Sequence, residues 1–390
     1  MFSSRLHWDL RPNPLAQLLE AKRRGGAAIL DLTESNPTRA GFSYPEQAIL
    51  QALAQPRSLL YEPSPAGLPS AREAVAEYYR SRGQRIDSNR ILLTASTSEA
   101  YACLFKLLGD PGDEILVPRP SYPLFDYLAA LESLLPVPYP LRYHGAWSLD
   151  LEALAAAITP RTRAVILVHP NNPTGSFVKR EELQRLIPIC QEKGLAILSD
   201  EVFSDYAFAP DRNGVDTLAG EARVLTFCLS GLSKVVGLPQ MKLGWVVISG
   251  PPAIEALARE CLELIADTYL SVGAPVQHAL PQLLAIGEKI REHIQQRVLA
   301  NWNFLRTATD AGSACSLLDA EGGWYAILQM PRTRSEEQWC LALLEKDNVL
   351  VQPGYFYDFE SEAYVVVSLL TPRDAFEEGI RRLQALANTA

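Results

Sequence analysis

The stretch that decides the fold is RAVILVHPNNPTGSFVKREELQRLIPICQEKGLAILSD, residues 163–200. It begins and ends with short apolar runs, 163–170 and 194–200, which suit buried strands. Between them, residues 179–194 place apolar side chains at intervals of three and four, which is typical of an amphipathic helix. A strand, a helix and a second strand in this order predict two parallel strands joined by a crossover helix.

The same alternation continues on both sides of this stretch. Further apolar runs predict strands of the same sheet at 90–96, 113–119, 223–230 and 242–249. After about residue 270 the pattern changes to long helical segments and a few short apolar runs, and an amphipathic helix closes the chain.

A chain of 390 residues is too long for one small core, so we expect two domains. The predicted fold class is α/β, with a three-layer α/β/α large domain built on a mostly parallel sheet and a smaller α+β domain. We place the large domain at 45–270. The small domain is expected to combine the N-terminal segment 1–44 with the C-terminal part 271–390.

Composition excludes several classes of partner. A net charge of −9 disfavours nucleic acid and anionic membranes, and no run of about 18 apolar residues predicts a membrane span. Six scattered cysteines without Cys-x-x-Cys spacing indicate free thiols, with neither a disulfide framework nor a metal site. We therefore expect a cytoplasmic protein that holds no metal.

Polar residues follow the predicted strands, and ligands of open α/β sheets bind beyond the carboxyl ends of strands. In HPNNPTG (169–175) the amide of Asn172 can donate to a phenolate-type oxygen, although the segment taken alone favours a plain loop with Asn and Gly in backbone roles. In LSDEVFSDY (198–206) a strand delivers Asp200, which would need a cationic partner if buried; a helix cap is the alternative.

Two further segments add an amine and an anion site. Lys234 lies in SGLSKVVGLPQMKLGW (230–245), and a partly desolvated lysine is a competent nucleophile for Schiff-base formation, whereas most lysines are simply solvated. LLTASTSEAY (92–101) places hydroxyls and backbone amides at a predicted helix N-terminus, which suits a phosphate as well as an ordinary helix cap. A nucleophilic lysine, a carboxylate, an amide and a phosphate seat are together the groups that pyridoxal 5'-phosphate requires.

With these motifs assembled, the sequence resembles the class I/II aminotransferases, pyridoxal-phosphate enzymes of fold type I. The resemblance rests on Asn-Pro-Thr-Gly, then Ser-Asp-Glu-Val, then Ser-Lys with a basic residue eight positions later. It extends over about residues 27 to 385 and includes YEPSPAGLPSAREAVAEYY (61–79), PRPSYPLFDY (118–127) and GGWYAILQMP (322–331). It implies a cytoplasmic homodimer that moves an amino group between an amino acid or amine and a 2-oxo acid.

The resemblance also implies roles for individual residues. Lys234 would form the Schiff base and move the substrate proton, Asp200 would pair with the ring nitrogen, and Tyr122 would stack on the ring. Asn172 would bond the phenolate oxygen, and Tyr61 would reach the phosphate of the partner subunit. The remaining phosphate contacts would come from Ser96, Thr97, Ser98, Ser230, Ser233 and Lys242.

Several positions depart from the family pattern. Lys242 and Phe203 stand where arginine and tyrosine are usual, so a bidentate phosphate contact and a donor to the phenolate are lost unless Tyr206 or another group compensates. Val366 stands where an arginine usually binds the substrate carboxylate, which leaves Arg39 or Arg373 as possible replacements. Ser35 and Asn36 replace a glycine turn and are expected to line the substrate site.

Alternative functions remain open on the same scaffold. A C–S or β-lyase, or a specialised biosynthetic enzyme that acts on an unusual amine, would use the same lysine. A non-catalytic pyridoxal-phosphate-binding regulatory domain is less favoured, because no basic helix-turn-helix segment is evident among the first 25 or so residues.

Overall fold

A computed structural model describes residues 2–6, 8, 11–209, 213–309 and 313–389. In these residues the helices are α1 (Pro14–Arg24), α2 (Glu46–Leu53), α3 (Pro69–Arg80), α4 (Thr97–Leu108), α5 (Leu124–Leu131), α6 (Leu151–Ala156), α7 (Arg180–Lys193), α8 (Leu232–Val235), α9 (Pro252–Asp267), α10 (Ala274–Ala308), α11 (Glu336–Asp347) and α12 (Arg373–Asn388). The strands are β1 (Leu30–Asp31), β2 (Ile91–Thr94), β3 (Glu114–Arg119), β4 (Leu135–Tyr143), β5 (Trp147–Leu149), β6 (Thr162–Val168), β7 (Ala196–Asp200), β8 (Thr226–Gly231), β9 (Gly244–Ser249), β10 (Ser316–Leu317), β11 (Tyr325–Gln329), β12 (Val349–Leu350), β13 (Gln352–Pro353) and β14 (Tyr364–Ser368).

The central sheet has eight strands in the order β2-β9-β8-β7-β6-β3-β4-β5. The ladders from β8 through β7, β6 and β3 to β4 are parallel, so the predicted mostly parallel α/β fold is confirmed. All six strands predicted for this sheet are present.

The sequence did not predict β4, whose residues LPVPYPLRY contain three prolines. Proline lacks the N–H that a strand needs when it is paired on both sides. Residues 135–140 of β4 pair with β3, and the second neighbour, β5, pairs only with residues 141–143. The prolines are therefore accommodated because they lie where one side of the strand has no partner in the sheet.

The strand β9 runs against its neighbours β8 and β2. Its first residue, Gly244, pairs with Gly231 at the end of β8 and with Thr94 at the end of β2. The loop that precedes β9 therefore meets the carboxyl ends of the parallel strands at one edge of the sheet. This reversal brings all four predicted segments to the same edge.

Helices cover both faces of the sheet. Successive strand residues alternate between two cores. Ile197 belongs to the core cluster that includes Leu183 and Leu186 of α7, whereas Leu198 belongs to the cluster that contains Phe105 and Phe125. Both faces of a mostly parallel sheet are buried, which explains why its strands are almost continuously apolar.

The remaining sheets lie in the terminal parts of the chain. The four-stranded sheet has the antiparallel order β10-β11-β14-β13, and the N-terminal strand β1 pairs in parallel with β12. A separate small sheet was expected, and the pairing of β1 with β12 ties the N-terminal segment to the C-terminal part. The boundaries 45–270, 1–44 and 271–390 remain a prediction. Over the described ranges, no helix combines the length and apolar character required to cross a bilayer.

Candidate active site

A cavity of about 370 Å³ opens at the edge of the sheet where these strands and loops meet. It brings together most of the residues that the sequence singled out, namely Ser35, Ser96, Thr97, Ser98, Tyr122, Asn172, Asp200, Ser233, Lys234 and Lys242. They come from six separate stretches of chain, so their meeting is a product of the fold.

The amine of Lys234 lies among aromatic rings. Its Nζ is 4.6 Å from the ring centre of Trp324 and 5.3 Å from that of Phe203. Burial lowers the pKa of Lys234 from 10.5 to about 8, and the negative charge of Asp200 opposes this change. A cation over aromatic faces is attracted by their quadrupoles, but that attraction does not restore the hydration that the amine has lost.

Asp200 and Glu201 are adjacent carboxylates with different roles. Burial raises the pKa of Asp200 to about 6, while hydrogen bonds from the Val202 N–H and the Tyr101 hydroxyl and the charge of Lys234 oppose that rise. Glu201 is almost fully buried and accepts hydrogen bonds from the Ser199 hydroxyl and the Leu218 N–H at 2.8 Å each. Only Asp200 reaches the cavity, and Glu201 anchors neighbouring chain.

The two asparagines of the NNPTG turn also differ. Asn171 accepts a hydrogen bond from the Ser121 hydroxyl at 2.9 Å and donates to the Pro120 carbonyl and the Thr174 hydroxyl. Asn172 lines the cavity, and its buried Oδ1 has no hydrogen-bond partner among the described residues. Asn171 therefore builds the turn, whereas Asn172 has bonding capacity left for a ligand.

The start of α4 forms the polar end of the cavity. Ser96 caps the helix by accepting a hydrogen bond from the Glu99 N–H at 3.2 Å. Thr97 and Ser98 occupy the first turn, where helix geometry offers backbone N–H groups no acceptor within the helix and the helix dipole favours an anion. Lys242 also lines the cavity and adds a positive charge.

The glycine Gly231 has a packing role that the sequence did not reveal. A Cβ added there would lie 3.0 Å from the Gly244 Cα and from the Leu243 carbonyl oxygen. The small residue is required because β8 and β9 approach closely at the cavity floor.

Three sequence-predicted residues lie outside the lining of this cavity. Tyr61 is 81% exposed on an adjacent groove. The side-chain Oδ1 of Asn36 accepts hydrogen bonds from the Thr38 N–H and hydroxyl within its own turn. Ser230 is buried in β8, and its hydroxyl has no partner in the described part of the chain.

The structure also shows whether other groups take over the roles of the family residues that this chain lacks. The Tyr206 hydroxyl donates to the Lys234 carbonyl at 2.6 Å and is buried outside the cavity, so it does not compensate for Phe203. Val366 is buried in β14 opposite Ile327 and Gln352. Arg373 is exposed at the start of α12 and pairs with Glu377, so it is not a replacement.

A second cavity of about 600 Å³ adjoins the first and shares Ser35, Tyr122 and Tyr325 with it. Its other aromatic lining residues are Trp8, Tyr127, Tyr355, Phe356 and Tyr357. Among the described residues that line the two cavities, the cations are Lys234 and Lys242, and Arg39 is absent from both linings.

Sequence reasoning assigned no role to Trp324 or Tyr325. Burial raises the pKa of Tyr325 to about 12, and the nearby Ser35 side chain opposes that rise. Both residues lie in the GGWYAILQMP segment that carried part of the resemblance, and this was the available signal. Their places beside Lys234 and Ser35 depend on how the C-terminal sheet docks against the large one.

Comparison with known proteins agrees with this geometry. The family model "Aminotransferase class I and II" matches residues 27–383. The glutamate–pyruvate aminotransferase AlaA of Escherichia coli K12 is 33% identical over 282 residues, which cover 71% of this chain and 69% of that protein. The alanine aminotransferase of Mycobacterium bovis is 29% identical over 374 residues, covering 92% and 85% of the two chains.

Solved structures give the same result. The crystal structure of an aminotransferase from Escherichia coli superposes with a TM-score of 0.87 at 27% identity, over 99% of this chain and 98% of the other. Because the family match spans nearly the whole chain and the predicted site residues converge on one cavity, this chain belongs to the class I and II aminotransferases.

Proposed function

We propose that this aminotransferase works with pyridoxal 5'-phosphate held on Lys234 and moves an amino group between an amino acid or amine and a 2-oxo acid. The observation that carries the proposal is the position of one partly desolvated amine in a cavity with a carboxylate, an amide and a helix N-terminus. These four groups are complementary to the aldehyde, ring nitrogen, phenolate oxygen and phosphate of that cofactor.

Unused bonding capacity in the site supports the fit. The Oδ1 of Asn172 is buried without a hydrogen bond among the described residues, and natural proteins rarely leave such atoms unpaired. The side-chain amide can present either its oxygen or its nitrogen, and the nitrogen would serve a phenolate. Thr97 and Ser98 add hydroxyls at the N-terminus of α4, where a phosphate would be favoured, and Ser233 adds another hydroxyl to the lining of the same cavity.

When bound, pyridoxal phosphate supplies an aldehyde that carries the amino group and a ring that withdraws electrons from the α-carbon of the substrate. The Lys234 amine is neutral in about half of the molecules near pH 8, so it can attack a carbonyl carbon and later take and return the α-proton. Asp200 is ionised above about pH 6 and would hold a proton on the ring nitrogen. Tyr122 lines both cavities and would cover one face of the ring.

The substrate would extend into the second cavity, which offers aromatic faces and hydroxyls. Ser35, Tyr122 and Tyr325 lie at the junction of the two cavities, and each carries a hydroxyl that can donate a hydrogen bond. With Lys242 assigned to the phosphate, the described lining offers a substrate carboxylate hydroxyls and no arginine. The donor and acceptor are therefore best identified by a screen that includes amines as well as amino acids.

We propose a homodimer with shared sites as the working form in the cytoplasm. Tyr61 is exposed and borders a groove with Tyr269 and Leu270, beside the cavity end that would hold phosphate. An exposed aromatic residue in this place suits a contact across subunits. Light scattering of the purified protein tests the assembly, and a monomer at all concentrations would contradict it.

The decisive experiment is chemical trapping of the cofactor. Purified protein supplied with pyridoxal phosphate should turn yellow, and borohydride should fix the cofactor on the peptide that contains Lys234. Lys242→Ala is the matched control and should still be labelled at Lys234, whereas Lys234→Ala should not be labelled. A colourless wild-type protein, or labelling at another lysine, would overturn the assignment.

The same preparation separates transfer from elimination. Donors that bleach the yellow colour and regenerate it with a 2-oxo acid support transfer of the amino group. Release of ammonia in step with substrate loss would instead assign the chain to the lyase alternative.

A further inference from the structure

Tyr101 lies in the second turn of α4 and is buried. Its ring packs against Phe105 at 5.7 Å and Phe125 at 5.4 Å between ring centres. Neighbouring rings on two helices fix the direction of its hydroxyl.

That hydroxyl donates a hydrogen bond to Oδ2 of Asp200 at 3.1 Å. The other oxygen, Oδ1, accepts from the Val202 N–H at 3.3 Å. A nearly buried carboxylate thus has one protein donor on each oxygen, and Tyr101 supplies the only one of these two that comes from a side chain. A hydrogen bond to an ionised group is stronger than one between two neutral groups.

The same helix contacts both the cavity and the Asp200 carboxylate. Thr97 lines the cavity at the start of α4, and Tyr101 is four residues later on the same helix face. The helix that would bind the phosphate therefore also supports the Asp200 carboxylate, which lines the same cavity. A rigid element with both contacts fixes the separation between the two ends of the cofactor site.

We propose that Tyr101 is a positioning residue that holds the Asp200 carboxylate in the orientation from which it bonds the ring nitrogen of pyridoxal phosphate. This inference rests on the proposed function. Nothing in the sequence motifs pointed to Tyr101, which the sequence presents as one more apolar position of an amphipathic helix.

The groups that act on Asp200 come from three directions. Tyr101 approaches from α4, Lys234 from the turn after β8, and Tyr122 from the loop after β3, where Asp200 contributes to the raised pKa of Tyr122. Substitution of Tyr101 by phenylalanine removes one of them and leaves the other two in place. The remaining charge pair with Lys234 allows the contribution of the hydroxyl to be measured by itself.

The test is the pH dependence of cofactor affinity. Cofactor-free Tyr101→Phe is titrated with pyridoxal phosphate at several pH values from about 5 to about 9, a range that includes the pKa of Asp200. Protein fluorescence is the signal. Loss of the donor raises the pKa of Asp200, so tight binding should fail at a pH about one unit higher than in the wild type. The variant should bind the cofactor about tenfold more weakly than the wild type near pH 5, about fivefold more weakly at pH 6 and about twofold more weakly at pH 7, so the difference narrows as the pH rises.

Tyr139→Phe is the matched control. Tyr139 is also fully buried, but its hydroxyl donates to the Ile166 carbonyl at 2.6 Å, away from Asp200. Both variants lose one buried hydroxyl, and only Tyr101→Phe should change the pH profile of cofactor binding. Tyr101→Leu, which keeps an apolar side chain without the hydroxyl, should shift the pH profile of cofactor binding by the same amount. It replaces Tyr101→Phe in the experiment if that variant folds poorly.

A double-mutant cycle with Asp200→Asn completes the test. In the Asp200→Asn background, Tyr101→Phe should no longer change the pH profile, because the titrating carboxylate is gone. If Tyr101→Phe and Tyr101→Leu bind cofactor with the wild-type pH profile, the inference about Tyr101 is wrong and the proposed function stands. If the wild-type protein itself does not bind pyridoxal phosphate, the proposed function fails and this inference fails with it.

Discussion

The amine of Lys234 should lose its proton at a pH far below that of ordinary lysines. Its pKa of about 8, against 10.5, corresponds to about 3 kcal/mol that disfavours the charged form. At pH 8 about half of the Lys234 side chains should be neutral, whereas less than about 1% of ordinary lysines are. Burial among Phe203 and Trp324 is the physical reason.

Removal of the Asp200 carboxylate tests this explanation. Asp200 stabilises the charged form of Lys234 and therefore opposes the effect of burial. Asp200→Asn should move the midpoint of Lys234 further down in pH. Asp126→Asn is a suitable control, because Asp126 borders the second cavity and pairs with Arg119 at 2.7 Å.

Trace acetylation of the cofactor-free protein measures the midpoint directly. The protein and a lysine model peptide react together from about pH 6 to about pH 11, and mass spectrometry quantifies the Lys234 peptide. We expect half-maximal reactivity near pH 8 in the wild type and in Asp126→Asn, and at lower pH in Asp200→Asn. A wild-type midpoint near that of the model peptide, or an upward shift in Asp200→Asn, would refute the reasoning.

Three further predictions concern neighbouring residues. Asn171→Ala should destabilise the cofactor-free protein by about 2 kcal/mol or more in urea unfolding, because the hydrogen bonds of Asn171 in the turn are lost. Asn172→Ala should leave the free energy of unfolding nearly unchanged and should weaken cofactor binding about tenfold. Gly175→Ala should lower the free energy of unfolding by more than about 2 kcal/mol in the same assay, because φ of Gly175 is +68° and a Cβ would lie 2.4 Å from the Gly322 carbonyl oxygen. A urea midpoint equal to that of the wild type would contradict this prediction. Lys242→Arg should hold or tighten cofactor affinity in a fluorescence titration, since a bidentate guanidinium suits phosphate, and marked loss of cofactor would show that the assigned phosphate contact is wrong.

Much of the fold was readable because local patterns and global structure agree. In residues 163–200, two short apolar runs predicted strands and the spacing of three and four between them predicted a helix, and all six strands predicted for the large sheet are present. The strand β4 was not predicted because its three prolines argue against a strand that is paired on both sides. Proline is tolerated there because one side of the strand has no partner in the ladder. The reversal of β9 was also invisible, since an apolar run does not reveal the direction in which it pairs.

The sequence by itself determined the α/β class and the chemical groups of the site, because strand-end residues of the right types follow recognisable apolar runs. Only the tertiary structure decided how those groups differ. The side chain of Asn171 is hydrogen-bonded within its turn, whereas Oδ1 of Asn172 has no partner among the described residues. The Tyr206 hydroxyl donates to a backbone carbonyl and does not line the cavity. Tyr101 meets Asp200 across 99 residues of chain. Burial, desolvation and hydrogen-bond geometry depend on neighbours distant in sequence, and these are the quantities that tune a carboxylate and an amine for function.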